Sequence, residues 1–204
     1  MTKFFVSCLR VAALIIVVHL MGAAISAQEI RGTVSSAGGS AVDNAAVWVD
    51  AIPGKTFTPP AKQSVVDQHE MKFVPHVLVI LKGTTVDFLN SDATLHNVFW
   101  PWISGNKKLA HNLGTRPMGK SLSYTFNDLG VIPLLCNVHT EMSGYILVVP
   151  TPYFAVTKSS GKFEIKDVPA GKYTLKFWSE ASGKINSQPV DVGPGSTTAN
   201  LTIK

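Results

Sequence analysis

Apolar and polar positions along this chain trade places over short stretches and then break at Gly, Pro, Asn or Ser. Beyond residue 28 no stretch holds a helical period, so the pattern predicts strands joined by turns. Residues 29–34 and 45–50 read as strands around the small-residue turn 35–40, and a Pro-rich connection follows at 53–60. Short strand pieces at 65–67 and 71–74 lead into 77–81, a continuous apolar run of strand length. Residues 85–89 alternate, 97–100 form a further strand, and a long polar connection carrying Trp102, Lys107, Lys108 and His111 ends near Gly114. Leu122, Tyr124 and Phe126 share one face of the next strand. Apolar runs at 131–135 and 145–149 close the middle section. Beyond Pro150 and Pro152, strands at 155–157 and 162–166 flank a Ser-Ser-Gly turn, with further strands at 172–178, 190–192 and 197–203. Many short strands at regular spacing predict an all-β chain of sandwich type.

The first residues have a different pattern. Lys3 and Arg10 precede an apolar core over 11–21 that only His19 interrupts, and small residues follow through Ala27. This is the layout of a secretory signal peptide over residues 1–27, cleaved after Ala27. The uninterrupted apolar stretch falls short of the roughly 20 residues that a spanning helix needs. Export to the periplasm or beyond is therefore expected, with no membrane span in the mature chain. Of 18 basic and 13 acidic residues, two basic ones lie in that segment, leaving 16 against 13, a net +3. The basic residues are scattered, so nothing supports nucleic-acid binding. Changes of texture divide the remainder into 28–60, 61–150 and 151–204.

Cleavage also removes Cys8 and leaves Cys136, which has no partner for a disulfide within the chain. Cys136-Asn137-Val138-His139-Thr140-Glu141-Met142 sets a thiolate, an imidazole and a thioether three residues apart between two apolar strands. His96, after an upstream strand, supplies a second imidazole. Two nitrogens, a thiolate and a weak thioether suit electron-transfer copper cycling between Cu(I) and Cu(II). Glu141 competes with Met142 as a hard oxygen ligand. A saturated set leaves no open position for substrate, and no cluster of three histidines or His-Glu-x-x-His accompanies it, which argues against an enzyme. His69, His76 and His111 have no metal-site spacing, and Trp100 and Trp102 read as packing residues or a docking face.

His96-Asn97-Val98 with the downstream Cys-x2-His-x2-Met resembles the blue-copper, or cupredoxin, family, in particular its amicyanin, pseudoazurin and plastocyanin branch. Residues 73–75, 82–88 and 90–92 are similar to that family's opening strands, and the resemblance covers about residues 64–149. It implies a Greek-key β-sandwich with one copper at one end, His96, Cys136 and His139 as equatorial ligands, and Met142 as the axial one. It further implies that Asn97 ties the ligand loops together. Val138 and Thr140 depart from the prolines frequent at those places. Residues 32–34 and 42–47, then 161–165 and 168–175, resemble the carboxypeptidase regulatory-like, transthyretin-type sandwich. The flanks on this reading form one smaller β-sandwich interrupted by the copper domain, with two separate pieces packed on that domain as the alternative. The whole arrangement is similar to plastocyanin-like proteins of the methylamine-utilisation type.

The resemblance implies a one-electron carrier between a redox protein donor and an acceptor, with docking near His139. Two other readings use the same residues: a copper storage or delivery protein, and a β-sandwich scaffold with a structural metal.

Overall fold

The computed structural model describes residues 28–204; the expected signal peptide lies outside the described residues. The chain begins with strands β1 (Glu29–Ser36) and β2 (Ala46–Val49). Nine strands follow in the middle section: β3 (Ser64–His69), β4 (Lys72–Val74), β5 (Val77–Leu81), β6 (Thr85–Asn90), β7 (His96–Trp100), β8 (His111–Arg116), β9 (Ser121–Thr125), β10 (Gly130–Leu135) and β11 (Ser143–Val149). The last section adds β12 (Phe154–Val156), β13 (Lys162–Lys166), β14 (Gly171–Trp178), β15 (Ile185–Val192), β16 (Ser196–Thr198) and β17 (Leu201–Ile203).

The middle strands form two facing sheets, ordered β5-β11-β10-β7-β8 and β4-β3-β6-β9. Between them lies a core that includes Val66, Phe88, Val98, Trp100, Phe126, Ile132 and Ile146. Both sheets mix antiparallel and parallel pairs, as β5 with β11 and β3 with β6, so strands cross between sheets rather than meander. The connection that reads as polar from sequence contains β8, which pairs with β7 around a bulge between Asn97 and Phe99. Gly114, in the left-handed region at φ 83°, bends that strand within its own length.

The two flanks fold together. Strand β1 pairs with β13, β16 and β17, while β2 lies between β12 and β14, which pairs in turn with β15. Their facing sheets enclose a second core with Ile30, Val47, Val49, Ile165, Leu175, Phe177 and Leu201. Residues 197–203, one strand by sequence, are two strands broken at Ala199 and Asn200. The break fits Gly32: Ala199 donates to the Arg31 carbonyl at 2.8 Å, and a Cβ on Gly32 would collide with the Ala199 carbonyl oxygen.

The two sandwiches also pack face to face. Ala46, Trp48 and Trp178 from the flank meet Val77, Val79, Val131, Leu147 and Val149 in a third buried cluster. Strands β2, β5 and β11 therefore bury both faces, which is why they read as continuous apolar runs. Glu180 joins the same contact, accepting from His76 Nε2 at 2.7 Å and from the Tyr145 hydroxyl at 3.1 Å. Among the described residues no helix is long and apolar enough to cross a membrane.

Candidate metal centre

The β10–β11 hairpin delivers three of the four predicted ligands. Strand β10 ends at Leu135, so Cys136 is the first loop residue and stays buried, 3% exposed. The loop then turns back, with the Met142 amide donating to the His139 carbonyl at 3.1 Å. That turn carries His139 half-buried at the rim and returns Met142 to the interior, 1% exposed, in the same cluster as Cys136. Glu141 stays exposed. His96 opens β7 and is fully buried. Side-chain donor atoms of His96, Cys136 and His139 lie within 4.8 Å of one another.

The two imidazoles point Nδ1 to Nδ1 at 3.1 Å. Their other partners fix which nitrogen of His96 carries the proton. Nε2 lies 2.8 Å from Asp92 Oδ2, and a carboxylate only accepts, so Nε2 donates and Nδ1 keeps its lone pair toward His139 and Cys136. The His139 proton then fills the Nδ1–Nδ1 contact. A metal at about 2.0 Å from each nitrogen, in near-tetrahedral array, would hold them roughly 3.3 Å apart. Donor types and spacing therefore fit a thiophilic ion replacing that proton.

Asn97 connects the two ligand-bearing segments. Its backbone amide donates to Cys136 Sγ at 3.4 Å, its Oδ1 accepts from the Asn137 amide at 3.4 Å, and its Nδ2 donates to Asn112 Oδ1 at 2.9 Å. Gln68, buried on β3, donates to the Asn97 carbonyl at 3.0 Å and links the opposite sheet to the site. Asp92 does more than reach His96. It accepts from the Glu70 and Met71 amides at 2.8 and 2.9 Å, both residues having positive φ in the β3–β4 turn. Burial pushes its carboxyl upward, but the Met71 amide, the His96 ring and the Glu70 amide outweigh this and hold it below its ordinary value.

Asp92 and Gln68 were not legible as site residues. A carboxylate four positions ahead of a candidate ligand histidine was the one local hint of Asp92. The remaining histidines lie elsewhere: His69 sits 3.8 Å from Asp92 on the exposed side, His76 meets Glu180, and His111 stacks against Trp100 and Tyr124. Trp100 is core, its indole donating to the Leu109 carbonyl at 3.0 Å.

Residues 61–149 match the family model for copper binding proteins of the plastocyanin/azurin family, and residues 151–200 match that of polysaccharide lyase family 4, domain II. The latter differs from the carboxypeptidase regulatory-like module that the flanks resemble. No curated protein matches the chain. Among solved structures, a reduced tryptophan-to-tyrosine mutant of amicyanin is 26% identical, over 52% of this chain and 99% of that one, with a TM-score of 0.40. The Cu(I) form of a methionine-to-alanine mutant of amicyanin is 27% identical over the same shares, also at 0.40. A copper-containing nitrite reductase from Thermus scotoductus SA-01 is 25% identical over 50% of this chain and 25% of that one, at 0.41. The middle section of this chain is a cupredoxin domain, and its cofactor is one copper ion.

Proposed function

We propose that the protein is an exported one-electron carrier in which His96, Cys136, His139 and Met142 hold the copper. The observation that carries this reading is the convergence of the His96 and His139 Nδ1 atoms, 3.1 Å apart, with Cys136 on a buried floor. Copper supplies the Cu(I)/Cu(II) couple. The protein supplies a site that changes little between the two states, because its two buried donors, His96 and Cys136, are held from behind. Asp92 orients His96, the Asn97 amide faces the Cys136 sulfur, and the Asn97 side chain fixes the start of the ligand loop. Burial of Met142 and exposure of Glu141 favour the thioether as axial ligand.

His139 is the ligand nearest solvent and serves as the outlet for the electron. Val138 beside it and Leu95 beside His96 are exposed apolar side chains, suited to brief docking against a redox partner. Export to the periplasm or beyond follows from the basic-apolar-small pattern of residues 1–27.

Electron self-exchange between Cu(I) and Cu(II) forms, followed by nuclear magnetic resonance line broadening, tests the carrier role. Exchange fast enough to broaden the resonances of ligand-loop residues supports it. Negligible exchange with ready copper loss to a chelator would instead favour storage or delivery.

A further inference from the structure

Arg116 ends β8 directly opposite His96 and is 4% exposed. Among the described residues it is the one buried Asp, Glu, Lys or Arg. Its Nε and both Nη atoms are closed off from solvent and find no hydrogen-bond partner, and no carboxylate among the described residues lies within 4 Å of them. Its backbone is well held, the carbonyl accepting from Asn90 Nδ2 at 3.0 Å, so the burial belongs to the strand pairing. A guanidinium does not deprotonate in a protein, so the full positive charge remains. A buried charge with no partner is costly, and this one lies in the strand pair that carries His96.

We infer that Arg116 is a positioning charge for the copper couple: through space it favours the less positive of the two metal states and so raises the reduction potential. Residues directly opposite in an antiparallel pair leave the same face with Cβ atoms about 5 Å apart, so the Arg116 side chain starts beside the His96 imidazole. The space between is protein interior, where charges act with little screening. Two carboxylates in the same region pull the other way, Asp92 on the His96 ring and Asp67 next to Gln68. Arg116 offsets them without pairing to either. The inference rests on the copper reading of His96 and Cys136.

The test is spectroelectrochemical titration of the copper-loaded wild type, Arg116→Met, Arg116→Gln and Arg116→Lys, each at low and high salt. The midpoint should fall in Arg116→Met and Arg116→Gln by the same amount at both salt concentrations. It should stay near the wild-type value in Arg116→Lys, and the thiolate-to-copper band should keep its position throughout. The Gln variant keeps the test available where the Met variant does not fold. Equal midpoints on intact bands, or a Lys variant that falls as far as the neutral ones, would overturn the inference alone. No thiolate band in the wild type would remove the copper reading and the inference with it.

Discussion

Asp92 and His96 form a carboxylate–imidazole pair, Oδ2 to Nε2 at 2.8 Å, in which the imidazole is fully buried and the carboxylate also holds the β3–β4 turn. One side chain thus sets the tautomer of a ligand and anchors the neighbouring hairpin. Asp92→Asn keeps the size but removes the charge that commits Nε2 to donating. Copper affinity should fall about 10–100-fold in competition with a chelator, with the protein still folded.

The same carboxyl gives a pH dependence to the metal-free protein. Its folded value lies below the ordinary 3.8, so its contribution to stability is complete above that value and is lost as pH falls through the lower, folded one. Denaturant unfolding of metal-free wild type and Asp92→Asn should therefore show a stability gap near neutrality that narrows in acid. A gap that widened with acidification would contradict the assignment.

Asn97 is buried and bonds to Asn112 and the Asn137 amide from one side chain. Asn97→Ala should cost about 0.5–1.5 kcal/mol per hydrogen bond lost in chemical unfolding, since Asn112 and Asn137 are exposed and their freed groups turn to water. Copper should also leave the site faster, as the loop start is no longer tied to β7.

Val138 stands exposed next to His139. If partners dock on that rim, Val138→Asp should lower the self-exchange rate by about tenfold or more through like-charge repulsion and lost apolar contact. Its visible spectrum should match the wild type, because Val138 holds no ligand.

Gly32 crosses the break between β16 and β17 with no room for a side chain. Gly32→Ala should destabilise the flanking sandwich by about 1–3 kcal/mol or more, as measured by thermal unfolding. The copper spectrum should survive, because the ligands belong to the other core.

The candidate ligands His96, Cys136, His139 and Met142 were legible because three of them sit on one loop at fixed spacing and the fourth heads a strand with a recognisable sequence; the structure brings donor atoms of His96, Cys136 and His139 within 4.8 Å of one another. Asn97 came with that strand. Gln68 and Arg116 were not, since each comes to lie by β7 from a strand distant along the chain, and Asp92 gave only its spacing, four residues before His96, with no sign that its carboxylate turns onto the ring. The fold shows the same division. Apolar runs marked β5 and β11, but the burial of their second faces depends on the flanking sandwich packed against them, a long-range contact with no local signature. The polar alternation of β15, an edge strand with Pro189 inside it, concealed an eight-residue strand that the sequence pattern limits to 190–192. The joining of the flanks was readable as a resemblance, whereas the register of β1 with strands about 130 residues away or more was not.

The most direct test of the central claim is visible absorption with electron paramagnetic resonance on the Cu(II)-loaded chain, beside Cys136→Ala. An intense thiolate-to-copper band with narrow hyperfine splitting, lost in the variant, is the predicted result. Well-folded, copper-loaded protein without that band would contradict the assignment of Cys136, His96 and His139 to one electron-transfer centre.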